Sequence, residues 1–293
     1  MTKQSNKKDK PWGGPWTEKK LDAFISYVQE YLKIMKDKYW KLIYFDGFAG
    51  SGERIEYETE GIKPFFLTEE QKIYEGAAER VVKLDPPHVF NYYYFIDLKE
   101  NNISKLKAKI NSLEEAKGKK LEFRAGDCNE QILKLAQVLR TKEYAALIFI
   151  DPFGMHIEWE AISSLKNTRS DIWILLPTAV IINRLLDKNC ELKSIATLTR
   201  YFGLSEDEII STFYRKSKIQ SLFGEDERIE KVLDPIEKIA EVYIRQLGTI
   251  WKFVTQPLRL NNRKGAPLFH LIFASNNETA LRIASHIIAK KRR

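Results

Sequence analysis

The sequence predicts an α/β fold built around a mostly parallel sheet. Three observations support this prediction. Between residues 40 and 177, short apolar runs alternate with segments of helical periodicity, which is the pattern of successive β-α-β units. The runs are continuously apolar, as expected for strands that are covered on both faces. An acidic residue follows four of these runs in succession, at the points where the strands end.

The predicted elements follow one another in the order that such a sheet requires. An amphipathic helix over residues 16–38 comes first, with Thr17 as its N-cap. Parallel strands joined by right-handed crossovers then place their carboxyl ends along one edge of the sheet. The predicted strands are 41–45, 89–96, 121–124, 145–150 and 171–176, and the helices between them are 76–83, 103–113, 129–139 and 159–165.

Residues 178–248 interrupt the alternation, and we expect them to form an almost entirely helical insertion. Ser205 to Glu208 fits a capping box for a helix running toward Lys216, and Gly203 ends the helix before it. Segments 193–202 and 205–215 have the lengths of a helix-turn-helix, and a plain helical lid or dimer surface is the alternative. The side chains that could meet phosphates there are Arg200, Arg215, Lys216 and Lys218.

The remaining boundaries divide the chain into four parts. Residues 1–15 are polar and lysine-rich and are predicted to be a disordered lead. Residues 16–177 form the α/β core and 178–248 the insertion. Residues 249–293 return to the core as two strands, 250–260 and 267–275, joined by a hairpin turn and followed by a helix over 279–289. We therefore expect an antiparallel pair to close the sheet.

Composition restricts the classes of function. No apolar run is long enough for a membrane span, and residues 1–10 lack the apolar segment of a secretory signal, so we expect a cytoplasmic protein. Cys128 and Cys190 are far apart and belong to no cluster with zinc-site spacing, so no metal is expected. The net charge of +8 and the isoelectric point of about 9.2 permit an acidic partner such as nucleic acid.

A glycine-rich loop follows the first predicted strand, with the sequence Asp46-Gly47-Phe48-Ala49-Gly50-Ser51-Gly52. Glycines let backbone approach a ligand closely, but the spacing matches neither a P-loop nor the dinucleotide fingerprint. Asp97, Asp127 and Asp151 close the next three strands. A carboxylate in the Asp97 position can accept both hydroxyls of a ribose, and one in the Asp127 position can reach an adenine amino group. Each aspartate alone could be a helix cap or turn residue, but the four together predict a ligand site at this edge.

This pattern resembles class I S-adenosylmethionine (SAM)-dependent methyltransferases, over about residues 40–180 and the last hairpin. The resemblance implies a Rossmann-like fold with a mostly parallel seven-stranded sheet, a terminal antiparallel hairpin and SAM as cofactor. It implies that the methionine part of SAM is wrapped by Asp46, Gly47, Phe48, Ala49, Gly50 and Gly52. It also implies that Asp97, with Leu98 beside it, binds the ribose, and that Asp127 and Cys128 flank the adenine.

More specifically, the chain resembles the three-Cys-motif partner proteins of prokaryotes over nearly its whole length. The features that carry this resemblance are the W-x-x-K-K helix at Trp16, the loop DGFAGSG, the strand YYYFID and the segment DPFGMHIEW. Members of that family are encoded beside a protein with a three-cysteine motif, which implies such a protein as a partner.

Asp151-Pro152-Phe153-Gly154 is the motif that bears on the methyl acceptor. It resembles the motif of methyltransferases that act on exocyclic amines of nucleobases. A carboxylate and the Pro152 carbonyl that accept hydrogen bonds from such an amine would localise its lone pair, and Phe153 would stack on the base. The second proline of the usual motif is absent and Gly154 follows the aromatic residue, so adenine N6, guanine N2 and cytosine N4 all remain open. A simple tight turn is the structural alternative.

Further residues could bind the acceptor. Phe153, Gly154, His156 and Trp159 could form a base pocket, although a tryptophan at a helix start often serves core packing. Arg184 could contact a phosphate or form an exposed salt bridge. A duplex substrate would have to present its base by flipping. Three hypotheses follow: a nucleic-acid base methyltransferase, a non-catalytic partner protein that retains the fold, and a methyltransferase for a protein or small molecule.

Overall fold

A computed structural model describes residues 15–51, 76–152, 154–187, 190–221 and 224–292. The predicted lead before Pro15, together with Gly52 and Phe153, lies outside these ranges. The α-helices of five or more residues within them are α1 Pro15–Met35, α2 Ala77–Val82, α3 Glu100–Asn111, α4 Cys128–Leu139, α5 Trp159–Ser163, α6 Ile195–Phe202, α7 Glu206–Phe213, α8 Pro235–Leu247 and α9 Glu278–Arg292. The strands are β1 Lys41–Asp46, β2 Tyr92–Asp97, β3 Leu121–Ala125, β4 Tyr144–Ile150, β5 Ser170–Leu176, β6 Tyr214–Ser221, β7 Gly224–Lys231, β8 Phe253–Val254, β9 Leu258–Asn261 and β10 Pro267–Ser275.

The main sheet has the strand order β3-β2-β1-β4-β5-β10, and β8 and β9 share the outer position beside β10. Strands β1 to β5 are parallel, whereas β10 runs antiparallel to β5. This is the topology of class I methyltransferases, with seven strand positions and an antiparallel C-terminal pair. The predicted fold class is therefore confirmed.

Helices cover both faces of the main sheet and enclose two apolar cores. Helices α1, α2, α3 and α9 pack on one face, where Phe24 of α1 stacks on Phe149 of β4 with ring centroids 4.1 Å apart. Helices α4 to α8 pack on the other face around the inward-facing isoleucines of β4 and β5. The central strands are buried on both sides, as their continuous apolar runs predicted. None of the described helices is long and apolar enough to cross a bilayer.

Helix α1 begins at Pro15, one residue earlier than predicted, so Thr17 lies in the first turn and not at the N-cap. The Thr17 side chain is buried and its hydroxyl has no hydrogen-bond partner within the described residues. Proline suits the first helical turn because its missing N–H would have no intrahelical acceptor there. In the same way, Pro235 begins α8.

The predicted strand over 250–260 is divided into β8 and β9 in the structure. Pro257 lies immediately before β9 and has no N–H to donate to a ladder, which agrees with a break at this point. The hairpin turn after β9 is confirmed, with Gly265 at φ 81° and a hydrogen bond of 2.8 Å from the Asn262 N–H to the Ala266 carbonyl.

The prediction of an almost entirely helical insertion is wrong over residues 214–231. Helices α6 and α7 are present, Gly203 adopts the left-handed conformation between them, and Ser205 forms the predicted capping box with Glu208. Helix α7 then ends at Phe213, and β6 and β7 form a separate two-stranded sheet. Arg215 and Lys216, which were predicted to lie on the second helix of a helix-turn-helix, therefore lie on a strand.

Candidate cofactor and substrate site

The loop after β1 is fixed to its neighbours by backbone hydrogen bonds. The Gly47 N–H donates to the Phe149 carbonyl of β4 at 3.0 Å, and the Ala49 N–H donates to the Ile96 carbonyl of β2 at 2.8 Å. Because β1 to β4 are parallel, the structure places all four predicted acidic residues at the same edge of the sheet. This is the edge at which open α/β sheets bind their ligands.

Gly47 lies where no other residue fits without rearrangement. A Cβ atom at this position would be 2.6 Å from the Cys128 Sγ and 2.8 Å from the Ile150 Cδ1, closer than nonbonded contact allows. Gly50 adopts a positive φ of 67°, which glycine reaches at no steric cost. The two glycines therefore account for the tight course of the loop over the ends of β1 and β4.

Asp46 is a buried carboxyl group at the end of β1, with 2% of its surface exposed. It accepts hydrogen bonds from the Tyr44 hydroxyl at 3.1 Å and from the Phe48 N–H at 3.3 Å. Burial raises the pKa of Asp46 to about 7, although these two hydrogen bonds and the nearby Lys20 favour the ionised form. The negative charge of Asp151 also raises this pKa. A cation placed beside Asp46 would relieve the cost of its burial.

Asp97 and Leu98 place a hydrogen-bond acceptor and an apolar side chain next to each other at the end of β2. One carboxylate oxygen of Asp97 accepts hydrogen bonds from the Lys99 N–H at 2.9 Å and the Asn102 side-chain amide at 2.8 Å. Its other oxygen accepts no hydrogen bond from the described residues. Leu98 is an apolar side chain that is 74% exposed. An acceptor oxygen beside exposed apolar surface suits a ribose with an attached base.

Asp127 acts as the N-cap of α4, because its side chain accepts a hydrogen bond of 2.7 Å from the Asn129 N–H. Its remaining surface is exposed at the same edge as Asp97. Cys128 is buried beneath the loop against Gly47, and burial raises the pKa of its thiol. Cys128 thus supports the loop from below and is held in the thiol form.

Asp151 forms a buried ion pair that the sequence analysis did not predict. The Lys20 Nζ lies 2.5 Å from the Asp151 Oδ2, and each side chain has at most 3% of its surface exposed. Lys20 comes from α1, 131 residues earlier in the chain, and its ammonium lies 5.5 Å from the Trp16 ring centroid. The lysine occupies the apolar stripe of α1 between Trp16 and Phe24. A lysine among the apolar positions of an amphipathic helix is the sequence feature from which a buried acidic partner could have been predicted.

The segment after Asp151 is compact where the structure describes it. Pro152 and Gly154 are buried, and the His156 imidazole lies against Gly154, 2.9 Å from the position that a Cβ would occupy. The Asn129 side chain joins this segment to α4 by bonding the His156 carbonyl at 2.9 Å and the Glu158 N–H at 2.8 Å. His156 is itself exposed. The structure therefore places His156 beside Gly154, the last residue of the Asp151-Pro152-Phe153-Gly154 motif.

Trp159 serves core packing, which was the alternative to a role in a base pocket. The Trp159 indole packs over Gly203 and meets the Tyr243 ring edge-on at 5.9 Å, so it joins α5 to α6 and α8. Arg184 lies on the exposed surface of a short turn after β5. Arg200, another predicted phosphate contact, lies 3.5 Å from the Glu158 carboxylate. The first turn of α7 carries exposed Glu206, Asp207 and Glu208, which would repel a phosphate backbone.

The geometry of this edge fits SAM in three separate respects. The loop has a close backbone course that depends on Gly47, Asp97 has an acceptor oxygen for hydroxyl groups, and Asp46 is a buried acid that a cationic ammonium would stabilise. Leu98 adds exposed apolar surface beside the acceptor. Among the described residues, no group of three or more histidine, cysteine or acidic side chains is arranged to hold a metal ion.

No protein-family model matches the chain. No curated protein matches it by sequence. In structure it is similar to protein LPL1258 from Legionella pneumophila str. Philadelphia 1, a crystal structure of the family DUF519. The two sequences are 16% identical, the TM-score is 0.38, and the alignment covers 90% of this chain and 98% of the other. A likeness of this degree carries no information about cofactor or substrate, and the fold assignment rests on the observed strand order.

Proposed function

We propose that the chain is a SAM-dependent methyltransferase that acts on an exocyclic amine of a nucleobase in DNA or RNA. The observation that carries the proposal is the sheet edge itself. Three adjacent strand ends of a class I methyltransferase fold carry the features that the reaction needs. They are a glycine loop without space for a side chain, an acceptor carboxylate at Asp97 and the Asp151-Pro152 segment. The net charge of +8 favours a polyanionic substrate.

SAM bound at this edge would supply an electrophilic methyl group. The residues of the chain would position the two reactants. The loop from Asp46 to Gly50 would hold the amino-acid part, and Asp46 would face its ammonium. Asp97 would accept hydrogen bonds from the ribose hydroxyls. Positioning of this kind can supply much of the rate enhancement of a group transfer that needs no protein nucleophile.

The acceptor amine would lie at the Asp151-Pro152 segment. The Pro152 carbonyl and the Asp151 carboxylate would accept hydrogen bonds from the amine, so that its lone pair turns toward the methyl group. Lys20 would fix the orientation of the Asp151 carboxylate, because the ammonium lies 2.5 Å from it. His156, beside Gly154, would line the approach to the same segment.

The proposal is tested by incubating the purified chain with tritium-labelled SAM and, separately, total RNA and total DNA. We expect label in one of the two nucleic acids, reduced at least tenfold by Asp97→Ala through weaker cofactor binding. An Asp151→Asn variant should bind cofactor but transfer little label. A chain that binds SAM and labels neither nucleic acid would contradict the substrate assignment, and a chain that does not bind SAM would contradict the whole proposal.

The Lys20–Asp151 ion pair also favours a second candidate, a methyltransferase-fold protein that acts mainly through protein–protein binding. The only carboxylate of the Asp151-Pro152 segment is already charge-neutralised and 2% exposed, which would limit its contact with an acceptor. The resemblance to three-Cys-motif partner proteins supports the same candidate. It predicts tight association with a three-cysteine-motif protein and no transfer of label to nucleic acid.

A further inference from the structure

A second cavity lies at the opposite edge of the main sheet from the candidate cofactor site. It has a volume of about 250 Å³ and opens between α1 and α9, where β4 and β5 begin and β10 ends. Its walls include the aromatic side chains of Tyr27, Tyr31 and Trp40, with the small residues Ala146 and Ala280 between them. The cavity is therefore mainly apolar and aromatic, and no step proposed above uses it.

One carboxylate, Asp171, stands in the wall of this cavity. It accepts a hydrogen bond of 2.6 Å from the Tyr27 hydroxyl and another from the Ser275 hydroxyl. Both donors are neutral, and no cation of the described chain forms an ion pair with Asp171. Burial raises the pKa of Asp171 to about 6, and the two hydrogen bonds act against this rise. At neutral pH the carboxylate is thus mostly ionised, half-buried in the cavity wall and, within the described chain, without an ion-pair partner.

Arg169 also lines the cavity, but its guanidinium is held by groups other than Asp171. Its guanidinium stacks on the Trp40 ring at 4.1 Å and donates to the carbonyls of Lys142 at 3.1 Å and Tyr144 at 3.5 Å. Arg169 therefore leaves the Asp171 charge to be neutralised by something else.

We propose that this cavity binds a small organic cation, an ammonium or guanidinium on a short apolar chain, with its charge against the Asp171 carboxylate. The aromatic side chains of Tyr27, Tyr31 and Trp40 would contact the apolar chain, and the two tyrosine rings would attract the cation. A half-buried carboxylate without an ion-pair partner favours such a ligand over a neutral one of equal size, because only the cation offsets the cost of desolvation. This site is independent of SAM and of the methyl acceptor.

The test uses n-butylammonium and its neutral counterpart n-butanol as probes, titrated into the full chain in phosphate buffer and followed by calorimetry. We expect butylammonium to bind at least tenfold more tightly than butanol. Asp171→Asn should abolish this preference, and Asp37→Asn, which removes an exposed acid near the end of α1, should not change it. Binding of S-adenosylhomocysteine at the other edge serves to show that each variant is folded.

The pH dependence of wild-type binding gives a second, mutation-free readout. Asp171 is ionised above about pH 6, so affinity for butylammonium should fall about tenfold between pH 7 and pH 5. The probe stays cationic throughout, and Tyr27 and Tyr31 stay neutral because their pKa values are raised. Equal affinity for amine and alcohol, or an affinity that does not change with pH, would overturn the proposal.

Discussion

At the scale of single residues, Lys20 and Asp151 dominate the energetics of the candidate site. A buried ion pair recovers its desolvation cost only while both partners are present. We therefore expect Lys20→Met to lower the free energy of unfolding by about 3–5 kcal/mol, measured by urea titration at pH 7. The neighbouring Lys19→Met, which removes the same charge from a more exposed position, should cost less than about 1 kcal/mol.

The double variant Lys20→Met with Asp151→Leu completes this thermodynamic cycle. Replacing both charges by apolar groups should recover most of the stability, because no desolvated charge is then left behind. If Lys20→Met unfolds at the same urea concentration as Lys19→Met, the two charges are not paired in solution and the assigned role of Lys20 is wrong.

Asp46 leads to a pH prediction at the same scale. Its pKa is raised to about 7 in the folded chain, so the folded state retains this proton between about pH 4 and pH 7 while the unfolded state has lost it. The group therefore lowers stability progressively as pH rises through that window. Urea titrations at pH 5 and pH 8 should show a smaller loss of stability in Asp46→Asn than in wild type, by roughly 2–3 kcal/mol. An equal loss in both proteins would show that the pKa of Asp46 is not raised.

Residues of this site differ in how far sequence alone predicts them. Asp46, Asp97, Asp127 and Asp151 each follow an apolar run, so parallel pairing places them at one edge without further information. Lys20 could not be assigned in this way, since its partner is 131 residues away and only the docking of α1 brings them together. The positions of the aspartates can therefore be predicted from the local sequence pattern, whereas the pairing of Lys20 with Asp151 can be recognised only from the tertiary packing.

At the scale of elements, the hairpin of β6 and β7 shows where local pattern fails. Residues 214–231 are rich in charge and poor in apolar periodicity, so the sequence offers no clear preference between helix and strand. The register explains the outcome, because it sets the basic β6 against the acidic β7, with Arg215 opposite Glu230. Because this charge complementarity depends on the pairing of two segments, it cannot be recognised from the sequence of either segment alone.

The same hairpin should be dispensable for cofactor binding. Within the described residues, strands β6 and β7 pair only with each other. Two of the contacts that join the hairpin to the body are the Tyr214 hydroxyl, which donates to the Asp187 carbonyl at 2.8 Å, and the Lys231 ammonium, which donates to the Asn183 carbonyl at 2.6 Å. Replacing residues 217–228 by a short glycine–asparagine turn keeps both anchors. We expect the shortened chain to bind S-adenosylhomocysteine with unchanged affinity in calorimetry. A tenfold loss would show that the hairpin contributes to the cofactor site.

At the scale of the whole molecule, the sheet order was predictable because alternating strands and helices with right-handed crossovers leave few arrangements. The antiparallel β10 and its partners were also expected from the hairpin signal. The second cavity was not, because it forms only where α1, α9 and the start of β5 meet. Distant segments create this cavity, and none of them carries a motif for it.

Calorimetric titration of S-adenosylhomocysteine into the wild-type chain tests the central claim most directly. We predict binding with a Kd in the micromolar range or tighter, weakened about ten- to a hundredfold by Asp97→Ala through loss of hydrogen bonds to a charged acceptor. Asp37→Ala, which removes an exposed acid at the other edge, should bind as wild type does. No binding by the folded wild-type chain, or equal binding by Asp97→Ala, would contradict a SAM site at the ends of β1 and β2.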